Sequence, residues 1–293
     1  MTDRVKYYSD GMEGRPFKTN PRLVRTGVVS DDYSEMTPVI FGGKLLLLAT
    51  AKPTAEANPY GKQCLWVEDV ATHQVIATFG EGCAFGSGFV HNDTFYAFAV
   101  PRDPGGAQRI DCFWSEDLAN WESANALLPD EGEKLYNESV CKAGDRFVMA
   151  YESKESKYPP FTIKFAESLD LRTWTKIPEA IYGTDRYTAC PTLRYIDGTF
   201  YMLYLEWLQP KWWFETYLTR STDLIHWEQS PRNPVLAPEG VEGINTSDID
   251  LVELGDKVIV YYLYGDQKTW HRAASAEFDG TLEEFFKHYY YET

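Results

Sequence analysis

The stretch SEDLANW (115–121) returns twice, as SLDLRTW (168–174) and STDLIHW (221–227). Its aspartates, Asp117, Asp170 and Asp223, stand 53 and then again 53 residues apart. A fixed period of that length marks a repeat architecture, each unit one piece of supersecondary structure. Each copy follows a short extended run: RIDCFW (109–114), FTIKFA (161–166) and FETYLT (214–219). Ser and Asp side chains accept backbone N–H bonds in tight turns. The Leu and Trp that follow then point back into a core. SxDLxxW therefore reads as architecture, a turn between two strands, and not as a catalytic motif. Weaker copies at WVEDVATHQV (66–75) and SAEFDGTL (275–282) bring the repeats to five.

A hairpin precedes each turn: TPVIFGGKLLLLAT (37–50), SGFVHNDTFYAFAV (87–100), SVCKAGDRFVMAYE (139–152), CPTLRYIDGTFYMLYLE (190–206) and DIDLVELGDKVIVYYLYGD (248–266). Each has an extended run, a Gly/Asp/Asn turn, and a second run rich in Tyr, Phe, Val and Leu. A lone unit of this kind cannot bury its faces, so its neighbours must stack on both sides. The expectation is an all-β fold, a five-bladed β-propeller of four-stranded antiparallel blades, over residues 31–280. Residues 1–30 have no repeat partner and read as an extended arm. TLEEFFKHYY (281–290) reads as a short C-terminal helix or tail within 281–293.

The chain has 293 residues, 44% of them hydrophobic, enough for a real core. Its 15% aromatic content, with 9 Trp and 20 Tyr, suits both sugar binding and an all-β core. A net charge of −16 and the lack of any basic run argue against nucleic acid and anionic membrane as partners. No apolar stretch approaches the roughly 18 residues of a membrane span. MTDRVKYYSDG at the N-terminus has no apolar h-region. The five cysteines (64, 83, 112, 141, 190) are scattered and lack CxxC spacing, as expected of reduced thiols in a cytoplasmic protein. The five histidines show no ligand spacing, and no P-loop, GxGxxG, HExxH or nucleophile elbow is present. No cofactor is called for, and the oligomeric state is not written in the chain.

This arrangement resembles the furanosidase-type propeller glycosidases, glycoside hydrolase families 43 and 32, over nearly the whole of 34–280. SxDLxxW turns recur there in the same place. ACPTLRYIDGTFYML (189–203) is similar to the Glu-Cys-Pro-Asp-Leu block of family 32 and the Glu-Gly-Pro block of family 43. NESV (137–140) sits at their Asp-Pro-type block. The resemblance implies three carboxylates at the mouth of a central pore, at the starts of the innermost strands, and admits a cation bound in the pore. Glu138 matches the middle carboxylate. The general-acid Glu falls on Ala189, and the first-blade Asp falls on Thr37, so the catalytic motifs depart from the family's pattern.

Blade geometry supplies other carboxylates. If the innermost strand runs down from the active face, the second strand returns to it. Residues at the starts of the innermost strands include Glu35, Glu138 and Asp248. Those at the ends of the returning strands include Arg102, Asp103, Glu152, Glu206, Trp207 and Asp266. Glu35, Glu138, Glu206 and Asp248 are the candidate catalytic set, since clustered like charges raise one another's pKa and keep one carboxyl protonated. Glu206 lies on the blade whose usual acid is replaced by Ala189. Arg102, Asp103, Glu152, Arg186, Trp207, Trp213, Asp266 and Trp270 are candidate contacts to a small carbohydrate substrate. Trp207, Trp212 and Trp213 fall in or beside LEWLQPKWWF, where indole faces could stack on sugar rings. The leading reading is hydrolysis of a terminal, furanoside-like glycoside from a short oligosaccharide. The alternatives are a non-hydrolytic carbohydrate-binding propeller, or a sugar lyase or isomerase using the same pore.

Overall fold

The three SxDLxxW stretches form one and the same turn. In the first, Ser115 Oγ accepts the N–H groups of Asp117 and Leu118, and Asp117 Oδ1 accepts those of Ala119 and Asn120. Trp121 Nε1 then donates to the Leu118 carbonyl at 3.0 Å. The bonds repeat atom for atom around Asp170 and Trp174, and around Asp223 and Trp227. The leucines Leu118, Leu171 and Leu224 take the left-handed φ values of 62°, 67° and 66° that the tight reversal requires.

The computed structural model describes residues 22–102 and 109–291, and they form an all-β protein with one short helix, Leu282–His288. Three four-stranded antiparallel sheets follow one another in the chain. The first is β2 (Tyr33–Phe41), β3 (Lys44–Ala51), β4 (Cys64–Asp69) and β5 (Gln74–Phe79). The second is β6 (Cys83–His91), β7 (Thr94–Pro101), β8 (Ile110–Ser115) and β9 (Glu122–Leu127). The third is β10 (Lys134–Ala143), β11 (Arg146–Lys154), β12 (Thr162–Ser168) and β13 (Thr175–Tyr182). The remaining strands form one eight-stranded sheet: β14 (Thr188–Ile196), β15 (Thr199–Trp207), β16 (Phe214–Ser221), β17 (Glu228–Gln229), β18 (Asn245–Leu254), β19 (Lys257–Gly265), β20 (His271–Asp279) and β1 (Leu23–Ser30). It divides into two antiparallel groups of four, β14–β17 and β18–β20 with β1. They are joined by a single parallel pair, Phe214 with Asn245. This sheet is thus mixed, where antiparallel strands alone were expected.

Two further expectations are corrected. SAEFDGTL (275–282) is not a turn between strands: β20 runs into the C-terminal helix, whose N-cap is Thr281. The fourth strand of that group is β1, paired antiparallel with β20 from Leu23–Phe278 to Ser30–Ala273. Residues 23–30, assigned above to an arm, are therefore part of a sheet. β20 would otherwise present a long unpaired edge. The rest of that segment, up to residue 21, lies outside the described residues.

The first strands of the five groups pack in a closed ring, β2 on β6, β6 on β10, β10 on β14, β14 on β18, and β18 back on β2. Between each pair of neighbouring groups lies a hydrophobic cluster, including one between the last group and the first. Second strands such as KLLLLATA and TFYAFAVP are covered on both faces, hence their unbroken apolar runs. The motif tryptophans belong to these layers, each reaching the preceding group. Trp121 stacks on Phe79 at 3.6 Å, Trp174 meets Phe98 edge-on, and Trp227 stacks on Phe165. Trp174 is buried, while Trp121 and Trp227 are half-buried at the rim.

Candidate active site

All five first strands lose register near their starts. The slip falls at Glu35 in β2, at Phe85 and Gly86 in β6, and at Asn137 in β10. In β14 it falls at Cys190 and Pro191, and in β18 at Asp248 and Ile249. Such bulges re-aim side chains and are common beside active sites. Here Glu35 (φ 38°), Phe85 (φ 60°), Cys190 (φ 48°) and Asp248 (φ 49°) are in the left-handed region, which costs non-glycine residues energy and is often retained at functional sites. All five slipped segments line one depression at the centre of the ring. Gly86 packs closely there: a Cβ would lie 2.5 Å from Leu65 Cδ2, and Leu65 would have to shift to admit it.

Four carboxyls from three strands line this depression: Glu35, Glu138, Asp248 and Asp250, the last paired with Arg194. Burial pushes the Glu35 pKa up to about 7, and the charge of Asp248 adds to it. Ser34 and Thr50 hydroxyls donate to Glu35 and oppose the shift. Thr50 Oγ1 also accepts the Gly86 N–H at 3.0 Å, tying Glu35 to the next strand. Burial raises Asp248 as well, against hydrogen bonds from Ser247 and from the Cys190 thiol. The charge of Asp248 acts on Glu35, so ionisation of one carboxyl opposes ionisation of the other. Glu138 is 3% exposed. Burial holds its carboxyl well above the usual range; Ser87 Oγ donates to Oε1 at 3.5 Å, and Oε2 is buried with no hydrogen-bond partner.

Glu152 stands behind the ring. Its Oε2 accepts from Asn137 Nδ2 and from the Cys190 N–H, and burial pushes its pKa up to about 7. Cys190 itself faces the depression, with Asn137 Nδ2 3.5 Å from its sulfur. Burial and the charges of Asp248 and Glu152 raise its thiol well above the ordinary value. Arg102 lies over the Phe85 ring at 5.0 Å, and its charge reaches Glu35. Arg194, which lines a second depression bounded by the same strands, binds Asp250 and the Leu251 carbonyl.

The other expected residues lie elsewhere. Glu206 does not line the depression. Side chains alternate along a strand, so Glu206 shares a face with Tyr204 in the layer between the third and fourth groups. There it accepts from the Tyr204 hydroxyl at 3.0 Å and pairs with Arg186 at 3.4 Å. Arg186 also donates to the Tyr182 hydroxyl in that layer. Trp213 packs against the same cluster and donates to Glu215. Asp266 accepts the N–H groups of Lys268 and Thr269, a turn-forming role that lowers its pKa. Trp270 meets Tyr264 edge-on, away from the acids. Trp207 packs on Tyr187 and Phe214 in a cluster that includes Cys190. Asp103 lies outside the described residues. Ala189, where the family's acid was expected, is buried against Leu205 and Phe214. The bulge presents Cys190 instead, one residue later. Reading the sequence also missed Phe85, Asn137 and His271, whose charge acts on Asp248.

Among the described residues no group of three or more His, Cys, Asp or Glu side chains is arranged to hold a metal ion.

No protein-family model matches the chain, and no curated protein matches it. Solved structures do. A complex of BT0996 with RGII aligns with a TM-score of 0.70 at 14% identity, covering 93% of this protein and 93% of that one. An N-acetylgalactosamine deacetylase from F. plautii, in complex with blood group B trisaccharide, aligns at 0.67 and 11% identity, over 91% of this protein and 97% of that one. The Bombyx mori GH32 beta-fructofuranosidase BmSUC1 aligns at 0.60 and 16% identity, over 94% of this protein and 65% of that one. At these identities the likeness is one of fold, and the chain is similar in fold to the propeller-type glycoside hydrolases.

Proposed function

We propose that the chain is a five-bladed β-propeller glycoside hydrolase that removes a terminal, furanoside-like sugar from a short oligosaccharide. The observation that carries this reading is the meeting of Glu35, Glu138 and Asp248, from three different strands, in one depression on the axis. Glycoside hydrolysis needs one protonated carboxyl and one ionised partner. Glu35, with its pKa at about 7, is the general acid that gives its proton to the leaving-group oxygen. Asp248, where hydrogen bonds from Ser247 and the Cys190 thiol oppose the upward push of burial, takes the role of the ionised partner. Glu138, held above the usual carboxyl range by burial, remains a neutral acid in the wall of the depression. The closed ring of five first strands supports the blade count. A cytoplasmic setting suits cysteines that form no disulfide and small imported substrates.

Cys190, in place of a carboxyl on the fourth blade, favours a second reading: a propeller that binds carbohydrate without cleaving it. A panel of aryl glycosides and plant-wall oligosaccharides, assayed with the parent and with Glu35→Gln and Asp248→Asn, separates the two. Hydrolysis reduced about 10²–10⁴-fold by either substitution, with binding kept, supports the enzyme. Binding without turnover anywhere in the panel supports the second reading.

A further inference from the structure

Four of the five cysteines are buried, while Cys190 is half-buried and stands in the wall of the acid depression. Two bulges bring it to Asp248. Cys190 in β14 and Asp248 in β18 both take left-handed φ values, 48° and 49°, at the register slips of strands that pack on each other. The thiol donates to the Asp248 carboxylate, which also accepts from the Ser247 hydroxyl. Ser247 Oγ accepts from Asn245 Nδ2 at 2.9 Å, and Asn245 Oδ1 from Gln267 Nε2 at 2.8 Å. Asn137 Nδ2 lies 3.5 Å from the sulfur on its other side, and Glu152 fixes the Cys190 N–H. A thiol touching a base that a third group orients is the arrangement of an activated nucleophile. A cysteine that only filled space would need neither these polar partners nor a strained backbone. Glu35 lines the same depression, and its charge reaches the thiol. The same wall holds Glu138, 3% exposed, whose Oε2 has no partner among the described residues. A buried polar atom left open in this way marks a wall that water or a ligand completes.

We infer that Cys190 is the nucleophile of the reaction and Asp248 its base. The inference rests on the glycosidase reading and adds to it a covalent intermediate and a stereochemical outcome. In the first step the sulfur attacks the anomeric carbon and the S–H proton passes to Asp248. The bond from that carbon to the leaving-group oxygen breaks as Glu35 gives the oxygen its proton. The sugar is then held on Cys190 by a C–S bond. In the second step water attacks the same carbon and its proton goes to the Glu35 carboxylate. The C–S bond breaks, and the sulfur recovers its proton from Asp248. Two displacements at one carbon leave its configuration as it was. Burial and the charges of Asp248 and Glu152 keep the resting thiol protonated, so attack depends on Asp248 taking the proton as the C–S bond forms.

The test uses the full chain and a panel of aryl glycosides. For each substrate that turns over, proton NMR identifies the first-formed anomer of the released sugar. Turnover is then compared in the parent, Cys190→Ala and Cys190→Ser, with and without sodium azide as an added nucleophile. Retention is expected in the parent, and turnover about 10⁴-fold lower in both variants. Azide should restore turnover of Cys190→Ala and give a glycosyl azide of inverted configuration. Cys190→Ser keeps a hydroxyl that can donate to Asp248, so a side chain that only held Asp248 in place would leave this variant near the parent. Inversion in the parent overturns the inference, and that measurement needs no variant to fold. Turnover of either variant within a factor of ~3 of the parent, far short of the loss of a nucleophile, overturns it too. Both results leave the glycosidase reading standing. A parent that cleaves no glycoside overturns the two together.

Discussion

Glu152 Oε2 accepts the backbone N–H of Cys190 at 3.0 Å, and the same oxygen accepts Asn137 Nδ2 at 2.9 Å. One carboxylate oxygen thereby fixes the bulges of two adjacent strands and the direction in which Cys190 points. Glu152 is a positioning residue. Its substitution by Ala leaves a buried N–H without its partner, a loss of about 1–3 kcal/mol. Urea denaturation should show that loss for Glu152→Ala and a smaller one for Glu152→Gln, whose amide oxygen can still accept. Turnover should fall in the same order.

The proton on Glu35 sets the upper pH limit of activity. With its pKa at about 7, kcat/KM should decline as pH rises through about 7, as the general acid ionises. In Glu35→Gln the activity should be about 10²–10⁴ lower below pH 7, and the limb should vanish, so that the gap narrows as pH rises. An alkaline limb that persists in that variant would assign it to another group.

Burial raises Glu35, Glu152 and Glu138 above the ordinary carboxyl value. The folded state therefore holds protons that the unfolded chain has already released. Stability is full below the unfolded pKa of about 4.5 and is lost as pH rises from there through about 7. Denaturant midpoints should fall over that window. Glu138→Gln, which cannot ionise, should flatten the slope and be more stable than the parent at pH 8.

Trp174 and Trp121 hold the same place in their turns, but Trp174 is buried and Trp121 half-buried. Trp174→Ala should cost about 3–5 kcal/mol. Trp121→Ala should cost less, keeping only the loss of its stack on Phe79, about 0.5–1.5 kcal/mol beyond the area exposed. Thermal unfolding of the two variants side by side gives the comparison.

Glu206 belongs to the layer between the third and fourth units. Glu206→Gln should leave turnover within a factor of ~3, well below the acid–base range. It should lower stability by about 1–3 kcal/mol through the loss of the charge on Arg186's partner. A loss of turnover with stability intact would return Glu206 to the catalytic set.

The turns and hairpins were legible because their signals are local. Ser115, Asp117 and Trp121 bond within seven residues, so spacing alone exposes them. Glu35, Glu138 and Asp248 were legible from their places at strand starts. The face on which Glu206 lies was not, because it depends on which neighbouring sheet covers the strand. Nor was Cys190, since a bulge shifts register by one residue without any residue type announcing it. β1 was hidden for a different reason: its partner β20 lies at the far end of the chain, and no spacing reports a contact of that range.

The pairing of Leu23–Ser30 with His271–Asp279 also sets an order of events during synthesis. Most strands find their partners within a few dozen residues, as soon as the next hairpin emerges. β1 has to wait until nearly all the rest has been made. Until β20 is made, β1 has no partner strand. Because non-local pairing is intrinsically slow, this strand edge stays unpaired longest, and an unpaired edge is where another chain can add.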